Sequence, residues 1–387
     1  MNYVFLNHNY EFFGTYFRCI NIGKNLSDHG HYVTIICASN KKFDLTIKSK
    51  LLRKNLKIIT LPRIAYGKYF SGQILRLLIT ILYLIFKKYD VLYAFTIAQP
   101  QIAWPAYFSK KILKKKLIID WDDLWGGGFG KLHNNIIDYI LGFHERYFIQ
   151  FADKITFTSN YLKKKIDRKI SNKILKKIPN GCYPDNYKIL NTIKARKILK
   201  IDKNKKIFML IGNTYTEGLI TTLKAFNNII KTGKNKNLYM YFVGIKKLDE
   251  EFSEYLKPIE KRIVFVGNVP FNKISTFMSA ANTLVLPMGN NPIEKARFPI
   301  RFADYLCSTK PIVSNAVGEI QHYIKRFKCG FFVKNKDYKG MAIALVKSIK
   351  NNNYNNLLCK NAKKLANGKL NNKKILNSLN NFLTFKI

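Results

Sequence analysis

Residues 176–187 read "KKIPNGCYPDNY". Pro179, Asn180, Gly181, Pro184 and Asp185 crowded into one short stretch make a loop, since proline breaks backbone ladders and Asn, Gly and Asp favour turns. Before it, short β-type runs ("YVFLN", "YVTIICAS", "LKIITL", "DVLYAF", "KLIIDW", "KITFTS") alternate with amphipathic stretches such as Tyr16–Ser27 and Asn135–Phe151. After it the alternation restarts with "KIFMLIG", "LYMYFVG", "RIVFVG", "NTLVLPM", "PIVSNA" and "GFFVKN". Strand–helix alternation implies right-handed crossovers and a parallel sheet. The expected class is α/β, with two doubly wound parallel-sheet domains, 1–185 and 186–387, facing a cleft. A closing helical segment after about residue 336 has room to pack back on either domain, the N-terminal one included.

The chain has 387 residues, 47% of them hydrophobic, enough for two separate cores. Its 67 Lys+Arg against 23 Asp+Glu give a formal charge of +44. Such an excess fits nucleic acid, an anionic membrane surface or a phosphorylated substrate. The cations are spread along the chain, many in Asn-rich patches such as "KNAKKLANGKLNNKKILNSLNN", a composition that an AT-biased genome also yields. That spread argues against a nucleic-acid groove, which needs a stripe or a recognisable module. The six cysteines form no C-x-x-C pair, so reduced thiols in a cytoplasmic protein are expected. The N-terminus shows no secretory signal. The run "ILRLLITILYLIF", Ile74–Phe86, is shorter than the roughly 20 residues a membrane span needs. It reads as a buried helix, or as a helix leaning on a membrane surface with Lys87 and Lys88.

Open parallel sheets hold ligands at the carboxyl ends of their strands. Gly14 and Thr15 stand where a helix begins after the first strand, and Gly212-Asn213-Thr214 follows the first strand of the second half. Both positions suit an anion lying over backbone amides, and both also suit a plain helix start. In "NNPIEKARFPIRFADYLCSTKPIVSNAVGE", Asn290–Glu319, Arg297 and Arg301 are four apart. They share one helix face or sit on a loop and the helix after it. Guanidinium groups grip phosphate oxygens in a fixed fork. Asp304, one turn on, can accept from two neighbouring sugar hydroxyls. Together they suit a nucleoside diphosphate sugar; a solvated helix start is the plainer alternative.

Five segments, "GTYFRCINIGKNLSDHGHYVTII", "IIDWDDLWGGG", "FADKITFTSNYLKKKI", "IPNGCYPDNY" and "ARFPIRFADYLCSTKPIVSNAVGE", resemble those of family-4-like glycosyltransferases with the GT-B fold, in the same order and over most of the chain. The resemblance implies two Rossmann-like domains, a nucleotide-sugar donor held mainly by the second, retention of anomeric configuration and no required metal or other cofactor. It also implies a glycan or lipid-linked acceptor, in cell-surface polysaccharide or lipopolysaccharide synthesis on the inner face of the cytoplasmic membrane. Of the family's two acidic donor-site positions, Asp304 matches the second. The first falls on Ala296, with Glu294 close by. Where the family often has a lysine, this chain has Glu217, so Arg297 and Arg301 are expected to carry the charge.

"LIIDWDDLWGGG", Leu117–Gly128, spells a D-x-D at Asp120-Trp121-Asp122, which binds a divalent metal in the other glycosyltransferase fold, GT-A. In the two-domain reading, Asp122 and Asp123 are expected to face the cleft, toward an acceptor hydroxyl or the donor sugar. Asp120 is expected to be partly structural, and the glycines to fold the loop around the sugar. The alternative is a buried Asp capping a turn, with Trp121 and Trp125 in packing. His144 and Glu145, in "FHERYF", are expected on a helix surface. Rival functions are a nucleic-acid-binding protein, a nucleotide-sugar epimerase or phosphorylase, and a homologue that binds sugar without turnover.

Overall fold

The computed structural model describes residues 1–64, 72–126, 135–212, 216–233, 237–350 and 352–385. The chain divides into two compact units: Met1–Pro179 with Ile375–Ile387, and Asn180–Lys374. The first crossing falls within the Pro/Gly-rich loop, at 179/180 rather than 185/186.

The strands of the first unit are β1 (Asn2–Tyr10), β2 (Tyr32–Ala38), β3 (Phe43–Asp44), β4 (Lys48–Arg53), β5 (Leu56–Leu61), β6 (Arg63–Ile64), β7 (Val91–Phe95), β8 (Lys116–Trp121), β9 (Lys154–Phe157) and β10 (Leu175–Lys177). Its first five helices are α1 (Thr15–Asp28), α2 (Gln73–Phe86), α3 (Pro100–Lys111), α4 (Asn135–Phe148) and α5 (Asn160–Lys165). Eight strands form one sheet in the order β10-β9-β8-β7-β1-β2-β5-β4. All its pairings are parallel except β4 with β5. Strand order reverses between β1 and β7. The near-continuous apolar runs of β7 and β8 follow from burial on both faces of the sheet.

The second unit holds β11 (Lys206–Ile211), β12 (Leu238–Val243), β13 (Ile263–Gly267), β14 (Thr283–Leu286), β15 (Ile312–Ser314) and β16 (Phe331–Phe332). Its helices are α6 (Thr192–Ile198), α7 (Thr216–Lys231), α8 (Ser253–Leu256), α9 (Phe271–Ala280), α10 (Pro292–Ala296), α11 (Ile300–Cys307), α12 (Gly318–Phe327), α13 (Tyr338–Ser348) and α14 (Asn353–Asn367). The sheet is parallel, in the order β13-β12-β11-β14-β15-β16, with its reversal between β11 and β14. Phe208, Leu219, Phe226, Met240, Phe242 and Leu345 lie in its core. The expected α/β class with two doubly wound parallel sheets holds.

The last helix, α15 (Asn372–Leu383), returns the chain to the first unit. Leu376, Leu379 and Leu383 join Tyr3, Phe5, Ile22 and Leu26 in its core. Tyr3 Oη donates to the Leu383 carbonyl at 3.2 Å, and Lys154 Nζ to that of Thr384 at 2.6 Å.

One expectation is corrected here. The run Ile74–Phe86 is not a buried helix, because Ile74, Leu78, Leu82, Ile85 and Phe86 of α2 are exposed. Among the described residues no helix is long and apolar enough to cross a membrane.

Candidate functional site

In each unit the sequence-derived candidates gather at the strand ends where the order reverses, the place where an open α/β sheet forms a crevice. In the first unit the centre is Asp122, just beyond β8. Its Oδ2 accepts from Thr15 Oγ1 and its Oδ1 from Thr96 Oγ1, both at 2.8 Å. Its carbonyl accepts from Thr158 Oγ1 at 2.7 Å. The side chain is buried, with both carboxylate oxygens engaged by hydroxyls. A carboxylate held by two hydroxyls ties the start of α1 to the ends of β7 and β8. Asp123, the next residue, is half-buried.

Gly14 caps α1 with φ +51°, a left-handed conformation that favours glycine. A Cβ there would stand 2.6 Å from the Asn9 side chain. Gly14 is exposed, while Thr15 is buried against Asp122.

Asp120 lies at the end of β8, fully buried. Arg18 of α1 donates to it twice, Nε to Oδ2 at 2.6 Å and a terminal nitrogen to Oδ1 at 2.9 Å. Thr156 Oγ1 also donates to Oδ1. Burial pushes the Asp120 carboxyl up from its ordinary range, and Arg18 pulls it back only in part. The D-x-D carboxylates thus turn to different partners, one to a guanidinium and one to two threonines. Among the described residues no three His, Cys, Asp or Glu groups come together as metal ligands.

The loop after β8 is shaped by a residue that the sequence reading set aside. Glu145 of α4 is buried, not on a helix surface. Its Oε1 accepts from Trp121 Nε1 at 3.1 Å and from the Trp125 backbone N–H at 2.8 Å. Its Oε2 accepts from the Gly126 N–H at 2.9 Å. Burial pushes its pKa up to about 7, against the pull of these donors. Gly126 permits the contact, since a Cβ on it would stand 2.0 Å from the Cα of Gly142 on α4. Gly126 therefore packs against a helix; Gly127 and Gly128 lie outside the described residues. His144 is also buried and bonded, through Nδ1, to the Ala98 carbonyl at 2.9 Å.

His8 of β1 was not singled out either. Its ring meets Trp125 edge-on at 5.3 Å, and both ring nitrogens are buried. Burial pushes its pKa down to about 3, so the imidazole is neutral. Neither His8 nor Glu145 carries a motif; both acquire their roles through contacts distant in sequence.

In the second unit β11 ends at Ile211, and Gly212 follows with φ +71°. The side chain of Arg301 lies along it, with Cδ, Nε and Cζ 3.6, 3.7 and 3.9 Å from where a Cβ would be. Tyr305, one turn beyond Arg301, fixes α11 there. Its hydroxyl accepts from the Ile211 N–H at 3.0 Å and donates to the Val285 carbonyl at 3.4 Å. Asn213 and Thr214 lie outside the described residues.

Arg297 caps the end of α10 and Arg301 belongs to α11, with Pro299 between them, so they sit on two elements rather than one helix. Arg297 donates to Glu294 Oε1 at 3.1 Å. Burial pushes the Glu294 carboxyl up, opposed by Arg297 and Arg301. Asp304 Oδ1 accepts from Tyr187 Oη at 2.6 Å, so one of its oxygens is already engaged within the protein. Burial raises the Asp304 pKa to about 6, against Tyr187 and Arg301. Glu217 Oε2 accepts from the Asn290 N–H at 2.9 Å and so holds the loop after β14.

Comparison with known proteins agrees with this architecture. Residues 17–186 match the family model described as Glycosyltransferase Family 4, and residues 191–365 that described as Glycosyl transferases group 1. TuaH of Bacillus subtilis (strain 168), a glycosyltransferase assigned to teichuronic acid biosynthesis, is 23% identical over 209 residues, which is 51% of this chain. The match spans 50% of TuaH, about half its length. Sucrose-phosphate synthase from Thermosynechococcus elongatus has a TM-score of 0.78 at 15% identity, covering 98% of both chains. Anabaena HepE in complex with UDP and glucose has a TM-score of 0.71 at 15% identity, covering 99% of both. With both halves matched in order and the fold shared, the chain belongs to the family-4-like glycosyltransferases of GT-B fold.

Proposed function

We propose that this glycosyltransferase moves a sugar from a nucleoside diphosphate sugar to a glycan or lipid-linked acceptor, in the synthesis of a cell-surface polysaccharide or lipopolysaccharide. The observation that carries the reading is Arg301 laid along Gly212 at the strand reversal of the second sheet, with Arg297 on the element before it. HepE, of similar fold, has been seen with UDP and glucose, and TuaH is assigned to teichuronic acid biosynthesis.

In this reading Arg301 and Arg297 carry the diphosphate, and Gly212 leaves room for its oxygens near the backbone. The Gly14–Thr15 helix start serves the charge of the donor, and Asp123 an acceptor hydroxyl or the donor sugar. As the C1–oxygen bond to the diphosphate breaks, negative charge grows on the leaving oxygen. The guanidinium groups stabilise it, an effect that is often the largest single contribution to catalysis. The acceptor oxygen bonds to C1 on the same face, and its proton passes to the leaving diphosphate. The configuration is retained with no protein nucleophile. No metal is required, since the guanidinium groups supply the positive charge. The charge of +44 and a lipid-linked acceptor support a position at the cytoplasmic face of an anionic membrane.

A second reading is favoured by Ala296 at the first acidic position and by Tyr187 on Asp304: sugar-nucleotide binding without turnover. One experiment separates the two. Nucleoside diphosphates and their sugars are screened by thermal shift, then nucleotide release is measured with and without membrane extract. Stabilisation plus acceptor-dependent release, unaffected by chelator, is expected. Stabilisation without release selects the second reading. Absence of stabilisation by any of them overturns both.

A further inference from the structure

A helix on a soluble surface turns its apolar stripe inward and its charges outward. Helix α2 does the reverse. Ile74, Leu75, Leu78, Leu82, Ile85 and Phe86 fall on one stripe and all are exposed, Ile74 at 76% and Phe86 at 77%. Its inward side carries Arg76, Thr80 and Leu84; Arg76 is only 5% exposed.

Helix α4 repeats the inversion. Ile136, Tyr139, Ile140, Phe143 and Tyr147 share an exposed face, while its acids Asp138 and Glu145 are turned in. Helix α3 packs against both α2 and α4. Its exposed Trp104 meets Phe148 of α4 edge-on at 5.1 Å. The apolar surface is therefore shared by three neighbouring helices.

These helices precede β7, β8 and β9, which are adjacent and parallel. They consequently run in one direction, and α2 and α3 end at the amino edge of the sheet. At that edge stand exposed Lys87 and Lys88 after α2 and Lys111 of α3. Neither α2 nor α3 carries an acid, and those of α4 are buried, so the three helices of a second copy would bring no carboxylate to meet the cations. A broad apolar, aromatic face edged by cations is the pattern of helices lying in a membrane interface.

We propose that α2, α3 and α4 form the face on which this protein lies against an anionic bilayer. The proposal rests on the peripheral membrane placement given above and identifies the surface responsible. Helix α2, about 21 Å long, lies flat with its apolar stripe among the acyl chains near the headgroups. Lys87, Lys88 and Lys111 meet lipid phosphates.

The test is sedimentation of the full chain with phosphatidylcholine vesicles, with and without phosphatidylglycerol. Wild type is expected to sediment with the anionic vesicles. The double variant Leu78→Glu/Leu82→Glu changes only exposed positions and should bind about tenfold or more weakly. Lys87→Glu/Lys88→Glu should also bind about tenfold or more weakly, with a smaller response to salt. Thermal stabilisation by UDP is read on the same samples. A vesicle defect with UDP stabilisation unchanged supports the face. Vesicle binding without UDP stabilisation also supports the face, while counting against UDP as the donor nucleotide. Equal sedimentation of wild type and Leu78→Glu/Leu82→Glu overturns it. So does a wild-type dimer that ignores vesicles and falls apart in that variant, which would make the face a self-interface.

Discussion

Glu145 holds the backbone of the loop after β8 through two N–H groups, Trp125 at 2.8 Å and Gly126 at 2.9 Å. A buried carboxylate bonded in this way fixes the segment next to Asp122 and Asp123 from a helix that the chain reaches only later.

Burial holds the Glu145 pKa near 7 in the folded protein, above the ordinary 4.5. The folded state therefore binds more protons than the unfolded one between those values. This stabilising contribution is complete below pH 4.5 and is lost as pH rises through about 7. Melting temperatures of wild type should fall over that window relative to Glu145→Gln, which does not titrate. Parallel curves for the two would refute the assignment.

Gly126→Ala would place a Cβ 2.0 Å from the Gly142 Cα, a backbone atom with little freedom to move. We expect a loss of about 1–3 kcal/mol, as for other overpacked sites. Denaturant midpoints measure the loss. Tryptophan emission should shift as Trp125 leaves its place.

Asp122 and Asp123 should separate in their effects. Asp122→Asn leaves one oxygen for the two hydroxyls of Thr15 and Thr96, so stability should drop by about 1–3 kcal/mol. Asp123→Asn should lower turnover more than it lowers stability. The reverse outcome would make Asp122 the reacting carboxylate and Asp123 the structural one.

Arg301→Ala should reduce turnover about 10²-fold or more and abolish stabilisation by the nucleoside diphosphate, with circular dichroism unchanged. Arg301→Lys keeps the charge without the planar fork and should fall between. Near-normal turnover in Arg301→Ala would remove this residue from the mechanism.

Tyr187 lowers the Asp304 pKa by donating to it, and Asp304 stands at about 6. Tyr187→Phe should therefore raise that pKa further. If ionised Asp304 contacts the sugar, the acid limb of the kcat/KM profile moves to higher pH, while the rate well above the limb changes little. An unmoved limb would separate Asp304 from the substrate.

Much of the fold was legible from local pattern. Each β-type run read along the sequence, from "YVFLN" to "GFFVKN", lies on a strand of one of the two sheets, because a parallel strand buried on both faces must be apolar throughout. The antiparallel edge β4, "KSKLLR", was missed since it is exposed and charged and has no such run. Arg301 stood out because its position follows a strand, and the structure sets it beside Gly212.

By itself the sequence determined the strand–helix alternation, the break near Pro179 and the positions of glycines and cations after strands. These depend on periodicity and on single-residue backbone preferences, which act over a few neighbours. Only the tertiary structure decided which carboxylates are occupied: Asp120 by Arg18, Asp122 by Thr15 and Thr96, Asp304 by Tyr187. It also decided that α15 joins the first unit and that α2 turns its apolar stripe outward. Such outcomes are set by contacts between residues as far apart as Tyr3 and Leu383. Burial and hydrogen bonding are properties of those contacts, so no local window contains them.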